Sequence, residues 1–275
     1  EVPMGGIVIS VVNNKGGVGK TTATVNLAEA LARRNQRVLV IDMDTQCNAT
    51  SLLLPTDVRI RNSLYELLDP EETEERNIED FIHPTKLGNV FCIPNVSDTA
   101  SLEPIMIHRA LTQKNPEVFF KLRRMLRQHI QENFDFAIID NPPNMGTFVL
   151  CSLYASDFIV VPVKAGSAFS VEGLIKAINL IDSVRDNGNK DLRFLRLLIN
   201  KADRRTFISR ANIEQIRQSF SEQRVFNTIV PVNTAFERAE SQGSTIFQYD
   251  QTSSGARSYR ELARELLAIF DKNGD

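Results

Sequence analysis

At 275 residues, with 42% apolar and 24% charged side chains and a net charge of −2, the chain has the make-up of a soluble globular protein. No apolar run approaches the roughly 18 residues of a membrane span, and the opening residues have neither the basic flank nor the apolar stretch of a signal peptide, so a cytoplasmic protein is expected. The three cysteines, Cys47, Cys92 and Cys151, are far apart and form no C-x-x-C pair, which argues against a disulfide framework or a zinc site; the near-neutral charge neither demands nor forbids a nucleic-acid partner.

In chain order, the first predicted element is an apolar strand, Ile7 to Val12. It runs into Asn13-Asn14-Lys15-Gly16-Gly17-Val18-Gly19-Lys20-Thr21-Thr22 and then into a helix carrying Leu27, Ala28, Leu31 and Ala32 at helical spacing. Strand, glycine-rich loop and helix are what a phosphate-binding loop needs: the glycines let backbone N–H groups turn inward, and the helix start favours anions. Lys20 would reach the β- and γ-phosphates, Thr21 would offer its hydroxyl to magnesium, and Thr22 would donate to an inner phosphate. A second strand, Val38 to Ile41, leads into Asp42-Met43-Asp44. The stretch from Leu54 to Asn89 is acidic and broken by Pro55, Pro70 and Pro84, and reads as small helices and loops elaborating one end of a sheet.

Further apolar runs follow at Val90 to Ile93, Phe136 to Ile139, Phe158 to Val163 and Leu195 to Ile199. Near-continuous apolar character suggests strands buried on both faces of a parallel sheet. Helical spacing between them, as at Leu174, Ile175, Ile178 and Ile181, predicts an α/β, doubly wound, mostly parallel sheet flanked by helices in a single domain over 1–275. The run Phe136 to Ile139 ends in Asp140-Asn141-Pro142-Pro143, the pattern of a Walker B aspartate that holds magnesium through water. Between Arg193 and Arg224 stand eight basic residues against three acidic ones, a local excess suited to phosphate contacts or to a solvated helix face. The last element, Gly255 to Phe270, carries Tyr259, Leu262, Ala263, Leu266 and Leu267 at helical spacing and is expected to pack back on the core.

Asn14 stands where a phosphate loop ordinarily has its first glycine, and a second lysine, Lys15, precedes Gly16-Gly17. The segment K-G-G-V-G-K-T-T thereby resembles the deviant Walker A motif of the ParA and MinD family of ATPases. That resemblance implies ATP and Mg2+ as cofactors, an ATP-dependent homodimer, and a role for Lys15 in reaching the nucleotide of the other subunit to stabilise transition-state charge. Asp42 to Thr50 resembles the family's D-x-D-P-Q-x-N-A-T, which implies that Asp44 positions the attacking water and contacts the metal through water while Asp42 supports it. Thr45 and Cys47 depart from that pattern. Asp140 matches I-I-D-x-P-P. Asn200 and Pro231 occupy positions that line the adenine pocket in related ATPases, though either also suits a strand end.

The likeness extends to Phe169-Ser170-Val171-Glu172-Gly173-Leu174, to Ala202 through Thr206 and to Tyr249 through Ala263, covering roughly Ile7 to Phe270. It is closest to the compact ParA or Soj type. That implies a weak, partner-stimulated ATPase that binds non-specific DNA and moves a plasmid or chromosome locus with a centromere-binding, ParB-like protein. Lys201, Arg204, Arg205, Arg210, Arg217 and Arg238 are the candidate DNA contacts; two basic residues of the family's R-N-V-R are missing at Val232-Asn233-Thr234-Ala235. The alternatives are a ParA-like ATPase positioning a protein cargo, such as a microcompartment or chemoreceptor cluster, and a membrane-associated MinD-like protein. The last helix mixes Glu261 and Glu265 with its arginines, so membrane binding is not expected. An iron–sulfur reductase would need paired surface thiolates, which the settings of Cys92 and Cys151 do not suggest.

Overall fold

A computed structural model describes residues 6–71, 76–112, 117–165 and 171–271. Eight strands form one sheet in the order β3-β4-β2-β5-β1-β6-β7-β8: β1 (Ile7–Val11), β2 (Val38–Asp42), β3 (His83–Pro84), β4 (Val90–Ile93), β5 (Phe136–Asp140), β6 (Phe158–Lys164), β7 (Arg193–Ala202) and β8 (Val225–Pro231). Every pairing is parallel except that of β3 with β4. Each predicted strand is present. The edge strand β3 was not expected: it is two residues long and contains Pro84, which an edge tolerates because one side needs no ladder hydrogen bond.

The central strands β1, β2 and β5 are buried at every position. Their side chains alternate between two cores. Ile7, Ile9, Val11, Val38, Val40, Phe136 and Ile138 face one layer, while Val8, Leu39, Ile41, Ala137 and Ile139 face the other. The first layer contains α1 (Lys20–Ala32), α2 (Asn48–Leu53), α10 (Ile246–Asp250) and α11 (Ser254–Asp271). The opposite face is covered by α3 (Leu64–Leu68), α4 (Leu102–Thr112), α5 (Glu117–Asn133), α6 (Thr147–Ala155), α7 (Val171–Asp186) and α8 (Phe207–Ser219). The short α9 (Thr234–Ser241) follows β8.

Helix α11 matches the predicted closing helix and docks through Tyr259, Leu262, Ala263 and Leu266, all buried. Its Glu265 takes Arg196 of β7 in an ion pair of 2.8 Å and accepts the Asn227 and Thr228 amides of β8. The apolar face is thus committed to the core. Among the described residues no helix is long and apolar enough to cross a membrane. The matched residues Phe169 and Ser170 lie outside the described residues.

Candidate nucleotide site

Parallel strands bring their carboxyl ends to one edge, and loops leaving those ends build the site. The loop after β1 turns through Gly17 and Gly19, at φ of +72° and +86°. Gly19 is required twice over: its left-handed backbone caps α1, and a Cβ there would lie 2.4 Å from Asn200 Nδ2. Asn13 anchors the loop's start, donating to the Pro162 carbonyl at 2.7 Å and accepting the Lys15 amide at 2.9 Å. Lys15 itself is exposed. Lys20 is buried and donates across the loop to the Lys15 carbonyl at 3.4 Å. Burial lowers its pKa, while Asp140 and then Asp44 act in the opposite sense.

The expected partners converge on this loop. Asp42 and Asp140 stand abreast in the β2–β5 register. The Thr21 hydroxyl donates to Asp140 at 2.7 Å, and Thr24 donates to its other oxygen at 3.4 Å. Burial pushes the Asp140 carboxyl up to about 8, with the Asp42 charge adding to the effect. Asp42 is held near 6, raised by burial against the hydrogen bonds from Thr50. Its Oδ2 accepts both the amide and the hydroxyl of Thr50, at 2.8 and 2.7 Å, and its Oδ1 accepts the Asp44 amide at 3.1 Å. Asp42 is therefore a brace for the start of α2 and for Asp44. Asp44 lines the cleft, its carboxylate accepting the Gln46 amide at 3.0 Å. The substituted positions Thr45 and Cys47 leave this geometry intact, Cys47 capping α2 in a left-handed conformation.

The cleft has a volume of about 470 Å³ and is lined by the phosphate loop, Asp44, Gln46, Pro143, Lys201 and Glu240, among others. Among the described residues no group of three His, Cys, Asp or Glu side chains is placed to hold a metal alone. A magnesium ion shared with phosphates needs no such group, since one or two protein oxygens suffice. Thr21 against a buried carboxylate of raised pKa is a donor set of that kind. Cys92 and Cys151 are fully buried, so they offer no surface thiolates for a shared cluster.

Neither of the two expected base contacts is among the residues that line this cleft. Asn200 is buried, and its amide donates to the Val18 carbonyl at 2.9 Å while its oxygen accepts the Lys201 amide at 2.8 Å. These bonds make it a clamp on the phosphate loop. Pro231 ends β8 beside Ala202 and does not line the cleft. Lys201, expected at a DNA surface, lines the nucleotide cleft instead, because its left-handed backbone (φ +50°) after Asn200 turns it toward Gly19. The other basic candidates stand at the surface. Arg205 pairs with Asp203 through two bonds of 2.9 Å, Arg210 donates to the Arg204 and Arg205 carbonyls, and Arg217 donates to the Asn227 carbonyl. Arg204 and Arg238 are exposed. The carboxylate of Glu240, which no sequence motif singles out, accepts the Thr22 hydroxyl at 2.5 Å.

A glycine-rich loop between a buried parallel strand and a helix, with a strand-terminal aspartate at its threonine, defines a P-loop nucleotide-binding protein. The family described as AAA domain matches residues 6–194. The chain is 37% identical to the chromosome partitioning protein ParA of Myxococcus xanthus, over 95% of this chain and 88% of that protein. It is 34% identical to the sporulation initiation inhibitor protein Soj of Bacillus subtilis, over 96% and 99%. Among solved structures, cobyrinic acid a,c-diamide synthase from Mycobacterium smegmatis with bound ADP and magnesium superposes with a TM-score of 0.79 at 27% identity, covering 97% of this chain and 96% of that one. The chain belongs to the ParA/Soj family of P-loop ATPases.

Proposed function

We propose that this chain is an ATP hydrolase that pairs with a second copy of itself when ATP is bound, holds non-specific DNA in that state, and partitions a plasmid or chromosome locus with a centromere-binding protein that stimulates its turnover in the cytoplasm. The observation that carries the reading is the meeting of Lys20, Thr21, Asp44 and Asp140 on one phosphate loop whose other lysine, Lys15, faces outward. Backbone amides from Gly16 to Gly19 would cradle the phosphates, and Thr22 would donate to the innermost. Thr21 directly, with Asp140 and Asp44 through water, would hold magnesium. The metal supplies neutralisation of charge on the β- and γ-oxygens. Asp44 orients the attacking water, and Lys20 draws charge from the γ-phosphate. Lys20 is buried in the loop and would meet its own nucleotide, whereas Lys15 is exposed and, across a pair of facing subunits, would reach the partner's.

The DNA contacts would come from Arg204, Arg205 and Arg238, with Arg210 and Arg217 shaping that edge, and Lys201 is reassigned to the nucleotide. A protein cargo is a second reading with one observation in its favour: Phe207 and Ile208, in the first turn of α8, are 77% and 63% exposed beside the arginines. Apolar side chains there add nothing to phosphate contacts and suit a protein surface. Light scattering and retention on random duplex, with and without ATP, test the proposal. ATP should double the particle mass and confer salt-sensitive retention, and Lys15→Ala should bind ATP yet lose hydrolysis. A Lys15→Ala protein with wild-type turnover would remove the cross-subunit role, and an ATP dimer without duplex retention would favour the cargo reading.

A further inference from the structure

Beyond α9 the chain turns through Gly243, whose φ of +61° suits glycine, and is then fastened to α1. The Thr245 hydroxyl donates to Glu29, and the Ile246 amide donates to Asn26 Oδ1 at 2.8 Å. Asn26 Nδ2 donates in turn to the Thr22 carbonyl at 2.7 Å. Thr245, Asn26 and Glu29 are buried, so these bonds are shielded from water and hold the start of α10, and with it the turn after α9, against the middle of α1. Glu240 is exposed, yet its backbone is delivered to the phosphate loop by this buried fastening. Its carboxylate accepts the Thr22 hydroxyl at 2.5 Å and lines the same cleft as Lys20 and Lys201.

A carboxylate beside an anion site is repulsive unless it meets a neutral donor there. Lys20 faces the outer phosphates and Thr22 the innermost, so the next group of a bound nucleotide is the ribose, with its vicinal hydroxyls. We propose that Glu240 reads that ribose: as the α-phosphate takes the Thr22 hydroxyl, the Glu240 carboxylate accepts from the 2′- and 3′-hydroxyls and selects for ribonucleotides. An acidic side chain on a ribose hydroxyl is the same chemistry that dinucleotide sites use. Lys201, in the same cleft, offsets the added negative charge. This inference rests on the nucleotide reading above.

The test is titration of the full chain with ATP and with 2′,3′-dideoxy-ATP, each with magnesium. The wild type should prefer ATP by about ten- to a hundredfold, the worth of hydrogen bonds to a charged acceptor. Glu240→Ala should lose that preference by weakening ATP alone, and Glu240→Gln, which keeps an acceptor without the charge, should fall between. Equal wild-type affinities for the two nucleotides, or tighter ATP binding by Glu240→Ala, would overturn the inference while leaving ATP binding in place. A wild type that binds neither nucleotide would remove the nucleotide reading itself, and this inference with it.

Discussion

The carboxyl edge of β1, β2 and β5 and the basic edge formed by β7 and α8 are both rich in charge, but they are built on opposite terms. At the first, Asp42, Asp140 and Lys20 are buried, and each is held by bonds to neighbours that the core fixes in turn. At the second, Arg204, Arg205, Arg210 and Arg217 are exposed, and Arg205 is already paired with Asp203 in solvent. A buried set acts as a unit, where one change leaves a charge or lone pair uncompensated. An exposed set acts by addition, with each charge worth little and all of it screened by salt.

The largest effect should come from Asp44. Asp44→Ala removes the carboxylate proposed to orient the water but none of the loop, so ATP should still bind while turnover falls by about a hundredfold or more. An ATP-bound dimer should then accumulate in light scattering, and wild-type turnover would assign the water to another residue.

The buried set also predicts a dependence on pH. In the folded protein Asp140 is raised from 3.8 to about 8, so the folded state holds a proton that the unfolded chain releases. Stability contributed by that proton is present at low pH and is lost as pH rises through this window. Without magnesium, the melting temperature of Asp140→Asn should therefore exceed that of the wild type by an amount that grows from pH 5 to pH 8. Parallel curves would mean that the carboxyl is ionised throughout.

The smallest effect belongs to the exposed edge, where Arg205 is partly neutralised by its neighbour. Asp203→Ala should release it and strengthen ATP-dependent duplex retention a few-fold, while Arg205→Ala should weaken retention and reduce the salt slope by about one. If both changes leave retention untouched, phosphate contacts lie elsewhere on the surface.

The contrast also explains what could be read in advance. The phosphate loop, Asp44 and Asp140 are local patterns: each follows an apolar strand, and a parallel sheet brings all strand ends to one edge. The central strands were legible because burial on both faces leaves a continuous apolar run. Strand β3 had no such signal, being two residues at an edge. Asn200 as a loop clamp and Lys201 as a cleft residue depend on β7 lying beside β6 and on a left-handed backbone at Lys201, neither of which has a local sequence signature.

By itself, then, the sequence determined the α/β architecture, the phosphate loop with its two lysines and the aspartates around it, because each is encoded within a few consecutive residues. Only the tertiary structure decided that Lys20 is buried while Lys15 faces outward, that the basic residues of β7 and α8 divide between cleft and surface, and that Glu240 meets Thr22 across 218 positions of chain. That last contact is set by bonds between α1 and the turn after α9, and a pairing so distant is fixed by packing rather than by any pattern along the chain.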